Sequence, residues 1–183
     1  MWLSALMPLM VWASLGAPDA SDPPRGALAA AHDGCRLGDA EQDEFLADLN
    51  ARRAALGLPP LIMDERLRRS ALSHTLDMAA SARLAHRGTG GKDFVERLRR
   101  ANYEPAVGAE NVAWNQADVG HVMSDWLASP SHRDAMLRPD VVHLGLARRC
   151  GDAGEPYWTL VLARPLGAEA IRHASLPRRP SSG

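Results

Sequence analysis

The chain carries seven histidines, the side chains best suited to acid–base work and metal ligation near neutral pH, and position sorts them. His32 and His173 lie in stretches without apolar periodicity. His74 falls on the apolar stripe of a helical segment, where the bland expectation is a core histidine satisfied by hydrogen bonds. His121 and His143 sit on a helix and a strand with no acidic or cysteine partner at ligand spacing. His86 and His132 stand at element boundaries, where loops deliver side chains into clefts. In SPSHRDAML, His132 occupies the first turn of a short helix, whose positive end disfavours the imidazolium. That favours the neutral ring, the form needed in a metal ligand or a general base. Glu110, in GAENVAW, is an acid at the mouth of an apolar strand; it is either solvated or turned into a polar pocket, and spacing does not choose. Ser129 and Ser131 adjoin His132, but a serine at a helix start is ordinarily a cap. No Gly-x-Ser-x-Gly elbow, His-Glu-x-x-His helix or phosphate loop is present.

The elements that must position these residues are legible. Asp39 opens a helix with acids in its first turn, arginines later and Gly57 as the stop, with Phe45, Leu49 and Leu56 on one face. LPPL forces an extended turn. After Asp64, the spacing of Leu67, Ala71, His74 and Met78 gives a second helix with one buried stripe. HRGTGGKD reads as a glycine-rich loop, DFVERLRRANY as a third, shorter helix, and ENVAW as a brief strand. Val119, Met123 and Trp126 mark a fourth helix. Ser129 and Pro130 read as N-cap and N1 of a fifth that ends before Pro139. VVHLGLARRC and PYWTLVLA, joined by GDAGE, read as an antiparallel hairpin. The class is α+β, with helices packed on a small, mostly antiparallel sheet.

The ends carry a different signal. Residues 1–17 are mostly apolar, uncharged, interrupted by Pro8 and shorter than the ~20 residues of a membrane span. Small residues Ser14, Gly16 and Ala17 close the stretch, the pattern of a secretory signal peptide. Residues 18–38 read as a linker, 39–166 as the domain and 167–183 as an unstructured tail, which leaves no membrane span in the mature chain. Export makes a periplasmic or secreted location the expectation. It also makes the two cysteines, Cys35 and Cys150, a disulfide tying the segment before the domain to its far end.

The words FLADLNARRAALGLPPLIMDERL, LAHRG, AENVA, WLASPSHRDAML, HLGLA and YWTLVLA occur in that order. Together, over about residues 42–165, they resemble the bacterial CAP superfamily, or SCP-like extracellular domain. That group includes the cysteine-rich secretory proteins, antigen 5 and the plant pathogenesis-related proteins. The resemblance implies an α-β-α sandwich with a central cleft. It maps His86 onto the histidine after the family's second helix, with Ala85 for the usual serine. Glu110 maps onto the glutamate of Gly-Glu-Asn, with Ala109 for the glycine. His132 maps onto the histidine of Ser-Pro-Gly-His-Arg, with Ser131 for the glycine. A second family glutamate would fall at Ser129, so the implied cleft carries His86, Glu110 and His132, with Ser129 in the fourth place.

Two histidines and a carboxylate also make the ligand count of an open divalent-metal site, and some relatives hold zinc on the two histidines. Two functions follow from the resemblance. One is a non-enzymatic domain whose cleft takes a lipid-like or cell-envelope ligand. The other is a divalent-metal-dependent hydrolase, a peptidase or esterase, using the same cleft residues.

Composition constrains the rest. The chain has 183 residues, 46% of them hydrophobic, enough for one domain with a substantial core. A net charge of −1 argues against nucleic acid as a partner. The basic clusters Arg66/Arg68/Arg69 and Arg97/Arg99/Arg100 lie among acids and read as solvated helix faces. Of the few aromatics, Trp114, Trp126 and Trp158 fall inside the quoted words, which places the tryptophans around the one cleft, with core packing as each one's ordinary job. Nothing in the sequence addresses oligomeric state.

Overall fold

The computed structural model describes residues 35–167. The proposed signal peptide, most of the linker, the tail beyond 167, and His32 and His173 lie outside them. Five α-helices among the described residues follow the capping and periodicity of the sequence: α1 Asp39–Ala55, α2 Glu65–Ser81, α3 Phe94–Arg100, α4 Val119–Ala128 and α5 Pro130–Met136. Asp64, Asp93 and Asp118 cap α2, α3 and α4, each side chain accepting from a backbone N–H of the first turn. Gly57 follows α1 at φ 68°, a left-handed position that favours glycine and ends the helix. Leu56 lies past the end of α1 and is 61% exposed, so of the three residues expected on that face only Phe45 and Leu49 are buried. All four members of the α2 stripe are buried.

The sheet comprises β1 Ile62–Met63, β2 Pro105–Trp114, β3 His143–Cys150 and β4 Pro156–Pro165, in the order β1-β3-β4-β2. β1 runs parallel to β3, and the other two pairings are antiparallel. The two residues that follow LPPL, for which no strand was expected, form a short edge strand. β2 is twice as long as ENVAW because its first half, poor in alternation, is drawn into register by β4 from Pro105↔Pro165 to Trp114↔Tyr157.

Helices cover both faces. α1, α4 and α5 pack on the face carrying Leu144, Leu146, Trp158, Leu160 and Leu162. There Phe45 meets Trp126 edge to face, with ring centroids 6.0 Å apart. α2 and α3 pack on the opposite face, against Ala147, Val161 and Ala163. The approach on this side is close. A Cβ on Gly145 would lie 2.2 Å from the backbone carbon of Leu67, so α2 seats directly on β3 where a side chain is missing. Thr75 of α2 and Thr159 of β4 share a buried hydroxyl–hydroxyl bond of 2.8 Å across the same interface. This is an α+β three-layer sandwich.

Two ties close the assembly. Cys35 and Cys150 form a disulfide. Arg148, stacked over the Trp158 ring, donates to the carbonyls of Cys35 and Ala117 and pairs with Glu41, fastening the segment before α1 to β3. Trp126 and Trp158 are core residues whose indole N–H groups donate to Val112 O and Gln116 O. Trp114 is half exposed beside Tyr157. The tryptophans therefore build the core and one strand end, and none bonds to a cleft residue.

Candidate functional site

β2 is an edge strand, and successive residues along it point to opposite layers. Glu110 turns toward α2 and α3; Asn111 turns toward α5 and donates from Nδ2 to the carbonyl of His132 at 3.0 Å. The candidate residues therefore reach the free edge of the sheet from two layers. His86 comes from the loop after α2, Glu110 from the strand, and His132 from the first turn of α5.

Glu110 is the centre of the arrangement. Its side chain is 4% exposed, which settles the choice left open by spacing in favour of a polar pocket. Oε2 pairs with Arg97 Nη2 at 2.5 Å, and Oε1 accepts from His86 Nδ1 at 3.1 Å, with His74 Nε2 a further 3.7 Å contact. A buried carboxylate needs such partners, because desolvating an unpaired charge costs several kcal/mol. Arg97 is itself buried. Its other terminal nitrogen donates to the carbonyls of His86 and Lys92, so one guanidinium holds both the carboxylate and the loop that bears His86. This corrects the reading of Arg97 as part of a solvated basic face. Arg97 sits three residues after Phe94 and beside Leu98, on the apolar side of α3, and that position was the sequence signal of a buried cation needing an acid.

His74 is fully buried, and its Nε2 donates to the carbonyl of Ala85 at 2.7 Å, placing the backbone just before His86. The expectation of a core histidine holds in burial. Its Nδ1, however, has no partner among the described residues. His143, read as lacking an acidic partner, lies 3.5 Å from Asp64 and bonds the Tyr103 hydroxyl, remote from Glu110. Ser129 occupies the N-cap position of α5, but its side chain makes no capping bond and joins none of the cleft groups.

The environment drives the imidazoles apart. The bond to Glu110 raises the pKa of His86 above 6.5, against burial and the Arg97 charge. Burial, then the charge of His86, lowers that of His132. Burial likewise lowers that of His74, although Glu110 pulls the other way. These shifts favour an N–H donor on His86 and a neutral ring with an acceptor nitrogen on His132. That separation is also the pattern that acid–base chemistry uses, but among the described residues neither Ser131, its neighbour in the chain, nor Ser129 is hydrogen-bonded to the His132 ring.

As a metal centre, the set does not fit three protein ligands. Both Glu110 oxygens are engaged by cations or imidazole, which leaves His86 Nε2 and the His132 ring. Among the described residues, no group of three or more His, Cys, Asp or Glu is arranged to hold a metal ion. Two imidazoles fall short of the three protein ligands of an open zinc site.

Comparison with known proteins gives consistent results. A family model described as CAP: Cysteine-rich secretory protein family matches residues 46–162. The uncharacterized membrane protein YlbC of Bacillus subtilis (strain 168) is 29% identical over 105 residues, 57% of this chain and 30% of that protein. The uncharacterized protein YkwD of the same organism is 32% identical over 98 residues, 53% of this chain and 38% of that protein. The matched stretch therefore spans about a third of each relative. Among solved structures, an outer surface protein from Borrelia burgdorferi superposes with a TM-score of 0.65 at 18% identity, covering 71% of this chain and 97% of that one. An extracellular protein containing a SCP domain from Bacillus anthracis gives 0.62 at 21% identity, covering 79% and 45%. At these identities the likeness is one of fold.

Proposed function

This chain belongs to the CAP, or cysteine-rich secretory protein, family, and on that premise we propose that it is a non-enzymatic, exported binding domain. Its cleft, lined by His86, Glu110 and His132, takes a lipid-like or cell-envelope ligand with a polar group. The observation that carries this reading is the state of Glu110. A carboxylate locked between a buried arginine and an imidazole serves best as a fixed wall of a binding site, each oxygen already holding a protein partner. The exposed ring of His86 and the acceptor on His132 are the groups that remain to meet a ligand. Half-exposed Leu84 lies two residues before His86 in the same loop. The ligand class comes from analogy of fold and not from the site itself.

The disulfide is in keeping with export, and among the described residues no helix is long and apolar enough to cross a membrane. The metal-dependent hydrolase reading needs a third ligand beside the two imidazoles, and both Glu110 oxygens already hold protein partners.

Native mass spectrometry of protein purified from an exporting host tests the proposal. A co-purifying apolar or envelope-derived molecule, lost on His132→Ala, is the expected result. Stoichiometric zinc that disappears in His86→Ala, together with ester or peptide hydrolysis by the wild type, would overturn it.

A further inference from the structure

One member of the first basic cluster and two of the second converge away from the cleft. A pocket of about 180 Å³ lies between α2 and α3, lined by Arg69, Ser70, Ser73, Lys92, Arg97 and Arg100. Neither His86, Glu110 nor His132 lines it. No carboxylate stands within ion-pair distance of Arg69 or Lys92 among the described residues. Arg69 Nη2 donates to the carbonyl of Ala101 at 3.3 Å, which fixes its guanidinium across the two helices. Two carboxylates reach the remaining cations: Glu96 pairs with Arg100 at the surface, and Glu110 holds Arg97 from the other side. Asp77 lines the adjoining pocket together with Lys92, and its carboxylate accepts from the Thr89 N–H.

Two of the lining residues also carry buried polar atoms with no hydrogen-bond partner among the described residues, Ser70 Oγ and Arg97 Nε. Ser70 is 2% exposed and Arg97 5%. Buried donors are rarely left unpaired, and an orphan pair beside an excess of positive charge calls for an acceptor of negative charge.

We propose that this pocket binds a tetrahedral oxyanion of the phosphate or sulfate class, with Ser70 and Arg97 donating from the wall and Arg69 and Lys92 closing over it. The site is independent of the cleft ligand proposed above, although the two share Arg97. The anion can arrive as the free ion or as the phosphoryl group of a lipid headgroup.

NMR titration of the ¹⁵N-labelled protein with inorganic phosphate tests the site, in parallel with sedimentation on phosphatidylcholine vesicles carrying phosphatidic acid. Saturable shifts confined to α2 and α3 are expected. Binding should weaken about tenfold or more in both Arg69→Gln and Ser70→Ala and be unchanged in Arg99→Gln, whose arginine is exposed, paired with Glu104 and outside the pocket. Ser70→Ala removes a hydroxyl that makes no bond in the protein, so its effect is not one of lost folding. Saturation by phosphate identifies the free ion as sufficient. Saturation by vesicles alone, with the same dependence on the variants, identifies the headgroup as the source. Absence of saturable binding in both arms, or equal weakening by Arg99→Gln, would overturn the proposal.

Discussion

At the scale of single residues, the decisive interaction is the Arg97–Glu110 pair, buried on both sides. Arg97→Ala should destabilise the domain by about 3–5 kcal/mol in denaturant unfolding, because it strands a buried carboxylate. Arg97→Met combined with Glu110→Leu should recover most of that loss; a double variant as unstable as the single one would show that the pair is not the cause. The histidines give a second prediction. Imidazole NMR titration should find His86 with a midpoint above 6.5 and His74 and His132 below it. The signs for stability differ. Burial holds the folded-state pKa of His74 below its ordinary value, so as the pH falls through 6.5 the unfolded chain takes up the proton first and stability is lost. The contribution of His86 is complete below 6.5 and fades as the pH rises through its higher folded value. Removing the buried ring with His74→Asn should therefore reduce the difference in unfolding free energy between about pH 8 and about pH 5. The sequence made His86, Glu110 and His132 legible because each sits in a short distinctive word. Arg97 and His74 were not legible as partners of Glu110. One was masked by neighbouring surface charges and the other by an apolar stripe, and the contact joining them to the strand spans three elements.

Elements show where local pattern suffices and where tertiary pairing takes over. The helices were readable from caps and periodicity, since Asp64, Asp93 and Asp118 satisfy N–H groups within a turn of themselves. The first half of β2 and the two-residue β1 were not, since only their partners hold them extended. The seating of α2 on β3 depends on one absent side chain. Gly145→Ala has to push the α2 backbone away from the sheet, so a loss of about 1–3 kcal/mol or more is expected. The displacement should move Asp64, Leu67 and His74 together, and a thermal melt together with chemical shifts of α2 amides would detect it. Gly154, at φ 87° in the β3–β4 turn, has nothing within 4 Å of its would-be Cβ, so substitution there should tax only the backbone. An alanine at 145 that left the melt unchanged while one at 154 lowered it would refute the close-packing account.

For the molecule as a whole, the disulfide spans a sequence separation of 115 and encloses nearly every element. In the chain-entropy model a loop of that size contributes up to about 4–5 kcal/mol, so reduction should lower the unfolding midpoint substantially. Arg148 should keep the segment before α1 docked in the reduced native state, visible as retained NOE contacts between the Leu37 methyls and the core. The bridge has one more consequence. It makes the domain a ring whose circumference carries His86, Glu110 and His132, so a protease that cuts one exposed loop, such as the glycine turn at Thr89–Gly91, separates no fragment. A nicked molecule would migrate as one band without reductant and as two with it, and would keep His86, Glu110 and His132 within one covalent unit.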